Sequence, residues 1–171
     1  MRAKFFITAL VFLLLTACGP IIGSMMVSNA GVKDFKIVSG QLSDLKAGSK
    51  ILVLAPFAKA PEGFYICRGE DASVFTTSFN DAGLFVADFH MEDRFEDNSA
   101  LISKLKKSSP AEIQSQLRLN DSPQYLLTGT ILSRETVAAP KQGVIMKVTY
   151  RLEFTSLENS KNTVIEVEVH E

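Results

Sequence analysis

Seven apolar residues follow one another from Ile51 to Phe57, Ile-Leu-Val-Leu-Ala-Pro-Phe, directly behind Lys50. Successive side chains of a β-strand point to opposite faces of its sheet. A strand made from this run therefore has no face to offer water. It belongs in the middle of a sheet that is covered on both sides, with Pro56 closing it.

The rest of the chain supplies what such a strand needs. Phe35-Lys36-Ile37-Val38 reads as a short edge strand. From Asp71 to Phe85 the residues Phe75, Phe79 and Ala82 recur at helical spacing, flanked by Val74; Asp71 is placed to start a helix and Gly83 to end it. Leu84 to His90 predicts a second strand. Leu101, Ile102 and Leu105 mark a second helix. A third opens at Ser109-Pro110-Ala111-Glu112, where an N-cap serine, a proline at N1 and a glutamate at N3 form a capping box, with Ile113 and Leu117 on its buried side.

The last fifty or so residues are strand-rich. Tyr125 to Leu132 is one strand, extendable to Val137, and Ala139-Pro140-Lys141-Gln142-Gly143 is a turn. Val144, Met146, Val148, Tyr150, Leu152 and Phe154 then alternate with Lys147, Thr149, Arg151 and Glu153, the pattern of a half-buried antiparallel strand. Ile165, Val167 and Val169 alternate with Glu166, Glu168 and His170 in a closing hairpin partner. The order β-α-β-α-α-β-β-β predicts an α/β fold, an α+β sandwich in which helices pack on a mixed sheet.

The N-terminus is of another kind. Arg2 and Lys4 precede the apolar run Phe5 to Leu15, which leads into Leu15-Thr16-Ala17-Cys18. Eleven helical residues rise only about 17 Å, against roughly 30 Å of bilayer hydrocarbon. A basic start, a short apolar run and small residues before a cut mark a secretory signal. With cysteine directly after Thr-Ala, the segment resembles a bacterial lipoprotein signal. That resemblance implies cleavage before Cys18 and acylation of its sulfur and new amino group. Two or more acyl chains, at about 0.8 kcal/mol per buried methylene, hold a protein stably on a membrane. Gly19 stands where, in the enterobacterial version of the family, an aspartate would retain the protein in the inner membrane. The resemblance thus implies lipid anchoring at the outer membrane, on its periplasmic face.

The expected organisation is a signal over 1–17, a lipidated N-terminus and tether over 18–33, and one domain over 34–171. Loss of Arg2 and Lys4 with the signal takes 18 basic residues to 16 against 19 acids, a net charge of −3 in place of −1. That balance argues against a nucleic-acid partner. About 150 residues suffice for one core.

The strand Ile51 to Phe57 and the later Pro123-Gln124-Tyr125-Leu126-Leu127-Thr128-Gly129-Thr130 resemble a group of periplasmic domains. It comprises the curli-secretion lipoproteins, the outer-membrane activators of penicillin-binding proteins, and the amino-terminal domain of the translocation protein TolB. In that group a V-x-P-F strand opens the domain and a Y-hydrophobic-hydrophobic-x-G strand follows a helix pair. The likeness covers about Lys50 to Glu171. It implies a non-catalytic envelope protein that works through a protein partner or as a homo-oligomer. The chain departs from the group in a long connection after the first strand, and in lacking an amphipathic stretch spare enough to build a barrel strand.

Chemistry finds few residues to act through. The two histidines are His90 and His170, and neither a Gly-x-Ser-x-Gly nor a His-Glu-x-x-His motif occurs. His90 beside Glu92 and Asp93 lacks ligand spacing and reads as solvated surface. Cys67, alone once Cys18 carries lipid, reads as a buried small hydrophobe, with a reactive thiol as the alternative. No catalytic residue, cofactor or metal is expected. The connection Ala58 to Glu70 is long for one without structure of its own. Its Phe64, Tyr65 and Ile66 form either a partner or ligand surface or a cap folded back on the sheet edge. The alternative function is therefore binding of a small ligand, lipid or cell-wall fragment between sheet and helices, with this loop as a lid.

Overall fold

β2 (Lys50–Ala55) lies between β5 (Tyr125–Ala139) and β4 (Val86–Met91) and runs parallel to both. The computed structural model describes residues 32–61, 69–91, 98–139 and 143–170. Among these, β1 (Val32–Ser39), β3 (Ala58–Lys59), β6 (Gly143–Ser156) and β7 (Asn162–His170) complete one seven-stranded mixed sheet. Its order is β1-β7-β6-β5-β2-β4, with β3 pairing β5 beside that path. Three helices pack on the sheet: α1 (Glu70–Asp81), α2 (Ser99–Leu105) and α3 (Pro110–Leu117). The expected α/β architecture is the observed one.

The apolar run is buried on both faces. Ile51, Val53 and Ala55 join Phe75 and Phe79 of α1 in the larger core, while Leu52 and Leu54 join Leu105 of α2 and Ile113 of α3 in the smaller. Each fully buried large side chain contributes about 1.5–3 kcal/mol over its exposed state. Both helical layers are consequently tied to this one strand. Aromatic rings fill the larger core, Phe75 meeting Tyr150 edge-on at 5.0 Å and Phe79 meeting Phe85 at 5.4 Å.

Beyond β2 the chain turns at Pro56 and lays Phe57 on β5. A Cβ on Gly129 would stand 2.5 Å from the Phe57 ring, closer than packed atoms approach. The glycine of the Tyr-Leu-Leu-Thr-Gly strand is thus the seat of the phenylalanine of the Ala-Pro-Phe strand. Asn98, buried at the head of α2, donates to the carbonyls of Ala55 and Pro56 and ties the second helical layer to the same bend.

Local signals set the helix ends. Gly83, at φ 63°, closes α1, with the Leu84 N–H donating to Phe79 O at 3.1 Å. At α3 the capping box is complete: the Glu112 N–H donates to Ser109 Oγ at 3.3 Å, and the Ser109 N–H donates to Glu112 Oε2 at 2.7 Å.

The structure departs from the sequence reading in three places. β1 begins at Val32, two residues before the expected domain start, because Val32 pairs with Val169 and is buried. The connection after β2 is not wholly irregular, since Ala58 and Lys59 pair with Thr130 and Ile131. Most consequentially, β6 does not stay half-buried along its length. Val148 to Phe154 fill the core at every second position, whereas Val144 is 69% and Met146 37% exposed. The reason lies in the pairing: β7 pairs with β6 from Lys147 onward, so among the described residues Gly143 to Met146 pair with β5 alone. β5 and β6 together run on past the body of the sheet as a two-stranded arm.

Two measurements check this packing. Gly129→Ala should cost about 1–3 kcal/mol in urea unfolding, as overpacking does. Phe57→Leu in the same chain should relieve part of that cost, giving a coupling of about 0.5–3 kcal/mol in a double-mutant cycle. Secondly, the Ser109 backbone N–H, and then its hydroxyl, hold the Glu112 carboxyl below the usual carboxylate range. A carboxyl depressed in the folded state stabilises it above the unfolded pKa, roughly 4.3, and loses that effect as pH falls through the folded value. Glu112→Ala should therefore lower the urea midpoint at pH 7, and the gap from wild type should close below about pH 4.

Candidate interaction surface

Parallel pairing brings one end of the sheet together. At the carboxyl ends of β2 and β4 the chain leaves Pro61 to return at Gly69, and leaves Met91 to return at Asn98. The candidate loop residues Phe64, Tyr65 and Ile66 lie outside the described residues, as do Cys67, Glu92, Asp93 and the lipid-attachment candidate Cys18.

His90 and His170 are described, and the fold keeps them apart. His90 sits on β4 opposite Leu54. His170 ends β7, its Nε2 2.8 Å from Glu168 Oε1. β6, β5 and β2 stand between those strands, a separation of about 19 Å at roughly 4.8 Å per strand. No group of three or more His, Cys, Asp or Glu among the described residues could hold a metal ion. Glu168 also accepts from Lys147 Nζ at 2.8 Å. That bond, then the one from His170, keeps its carboxyl below the ordinary range, and the same contact raises Lys147.

One polar node has no counterpart in the sequence reading. Asp71, in the first turn of α1, accepts from the Tyr150 hydroxyl at 2.5 Å and from Arg134 Nη2 at 2.8 Å. Arg134 stands opposite Val148 where the arm leaves the body. The node therefore pins α1 to the base of the arm. Its members are 63 and 79 positions apart in the chain, so no local pattern announces it.

The sheet has two edges, and they differ in how they are guarded. β1 carries Lys33, Asp34 and Lys36, and its register with β7 slips twice, between Val32 and Asp34 and between Ile37 and Ser39. Charges and bulges of this kind discourage pairing with another chain. β4 keeps an unbroken register with β2 from Val86 to Met91. Val86, beside Lys50, is 49% exposed, and Phe89, beside Val53, is 38% exposed. Those two positions lie on opposite faces, so apolar surface flanks on both sides an edge that no described strand pairs. One peptide of β4 is already occupied: Asn80 of α1 accepts from the Ala87 N–H and donates to its carbonyl, each at 2.9 Å.

No family model matches this chain, and no curated protein matches it. Solved structures do. The PelC dodecamer from Paraburkholderia phytofirmans is 17% identical with a TM-score of 0.44, covering 81% of each chain. Lipoprotein GNA1162 from Neisseria meningitidis is 14% identical with a TM-score of 0.42, covering 72% of this chain and 83% of its own. The LpoB C-terminal domain from Escherichia coli is 12% identical with a TM-score of 0.42, covering 91% of this chain and 96% of its own. A bacterial lipoprotein is among the folds this chain is similar to.

At the other end of the sheet, a cleft of about 140 Å3 is lined by Ser43, Asp44, Lys46, Tyr125, Phe154 and Thr163. Ligand sites usually measure about 300–1,000 Å3. Tyr125 closes its floor, donating to the Asp44 carbonyl at 2.7 Å. Burial pushes its phenol above the ordinary value.

The Asp71 node is testable by a near-isosteric change. Asp71→Asn removes the charge facing Arg134 and should destabilise the domain by about 1–3 kcal/mol. Hydrogen exchange should show the loss concentrated in α1 and in β5 from Arg134 onward.

Proposed function

We propose that this chain is a non-catalytic lipoprotein, held by lipid on Cys18 at the periplasmic face of the outer membrane, whose domain binds another envelope protein in assembly or secretion. The observation that carries the interaction is the β4 edge. An extended segment of a partner can add to such an edge through main-chain hydrogen bonds, while pockets beside it select side chains. β4 offers a regular backbone with Val86 on one side and Phe89 on the other. The anchor rests on the lipoprotein-like segment ending in Cys18 and holds the domain close to its membrane.

The experiment joins two readouts in a Gram-negative host. Wild type should show a lipid increment in intact mass and fractionate with the outer membrane, and Cys18→Ala should lose both. With a photo-crosslinking amino acid at His90, within the part of β4 that Asn80 leaves open, irradiated envelopes should give one discrete adduct, an envelope protein or a second copy, which Phe89→Lys weakens. Recovery of the uncrosslinked monomer alone across growth conditions would overturn the edge reading.

A further inference from the structure

The β5–β6 arm and the start of β1 lie at the same end of the sheet. Val32 pairs with Val169, Val169 with Val148, and Val148 with Arg134, so one row across the sheet joins the point where the N-terminal segment enters to the base of the arm. From Val148 to Gly143 the arm runs on by five residues, about 17 Å at roughly 3.4 Å per residue.

The arm is charged at its base and apolar beyond it. Past Glu135 and Lys147 its described residues are Thr136, Val137, Ala138 and Ala139 on β5 and Gly143, Val144, Ile145 and Met146 on β6, none of them charged. Val144 and Met146 share one face, while Val137 and Ile145 are paired on the other. A two-stranded ribbon is marginally stable at best in water. This one carries apolar side chains on both faces and, among the described residues, no covering layer, although its base is pinned by Asp71, Arg134 and Tyr150.

We propose that the exposed apolar side chains of this arm, Val144 and Met146, rest in the headgroup and upper acyl region of the membrane to which the chain is lipid-anchored. The inference rests on the lipoprotein reading of Cys18. Its support is a comparison of two lengths. About fourteen residue steps separate Cys18 from Val32, and fourteen steps of chain reach at most about 50 Å. The described arm projects about 17 Å from the row in which Val32 lies, at the end of the sheet where the chain enters. A bilayer surface that holds Cys18 within that reach is one that the exposed Val144 and Met146 can meet. Five residues beyond the body fall well short of the roughly 9–11 that a strand needs to cross hydrocarbon. The arm reaches into the surface without spanning it, and gives the lipid-anchored domain a second point of contact.

The chain has no tryptophan, so a single one reports its own surroundings. Val144→Trp and, separately, Met146→Trp are placed on exposed arm positions. Val86→Trp serves as control, because Val86 pairs with Lys50 at the opposite end of the sheet. Each full-length chain is lipidated in a Gram-negative host and reconstituted into phosphatidylethanolamine–phosphatidylglycerol vesicles, with and without lipids brominated high on the acyl chains. Val144→Trp and Met146→Trp should show blue-shifted emission and lose most of it to the brominated lipid, while Val86→Trp keeps its emission. Lipid on Cys18 by intact mass with arm emission unquenched would overturn the arm proposal and leave the anchor standing. A blue shift without quenching, together with crosslinks from the arm to protein, would assign the tip to a second copy or a partner and overturn it likewise. No lipid on Cys18 would overturn both readings.

Discussion

β2 has no side chain between Ile51 and Ala55 that water would accept, and both layers of the domain answer to that. Its odd-numbered residues need the aromatic side of α1, and its even-numbered ones need α2 and α3. Two crossovers on opposite faces follow, one carrying the chain from β2 through α1 to β4, the other carrying it back through α2 and α3 to β5. β2 is left with a parallel neighbour on each side. At its carboxyl end the same strand turns to lay Phe57 over Gly129, and Asn98 holds the carbonyls of the bend. A single strand thereby fixes the positions of all three helices.

That topology polarises the molecule. β2, β4, β5 and β7 all point toward one end, and β1, antiparallel to β7, begins there. The N-terminal segment, the connections after β2 and β4, and the turn between β5 and β6 consequently share that end. The opposite end holds the short turn Leu42–Asp44 and the small polar cleft beside Tyr125. Apolar side chains are exposed at both ends, Val144 and Met146 where the chain enters and Val38 and Val86 toward the other.

What was legible in the sequence was whatever depends on neighbours in the chain. Ile51 to Phe57 announced a two-sided strand, Ser109 to Glu112 a helix start, and the alternation from Val148 to Phe154 a core face. The arm was not legible for a specific reason: Val144 and Met146 continue the same period of two. Alternation says which side chains share a face but not whether anything covers it. Cover depends on which strands pair alongside and on how far α1 reaches, which are properties of packing across the sheet. The node of Asp71, Arg134 and Tyr150 is hidden for the same reason, as is the pairing that draws Val32 into the domain. The candidate residues Cys18, Phe64, Tyr65 and Ile66 lie outside the described residues, so the surfaces argued from structure are ones the sequence did not single out.

The two edges and the arm make different demands on stability. β1 is guarded by charges and slipped register, devices that forfeit regular pairing in exchange for protection from aggregation. β4 keeps a regular register and carries the single carboxylate Asp88, and α1 spends a side chain on it, Asn80 occupying both polar groups of Ala87. An addition to that edge must therefore begin past Ala87, at Phe89 and Met91, which are also the positions nearest the end where the arm and the N-terminal segment lie. A partner that entered from that side would meet Phe89 before any guarded peptide. A domain held by its N-terminus and steadied by its arm would present this edge at a fixed distance from the membrane, with the strand direction of β4 pointing toward it.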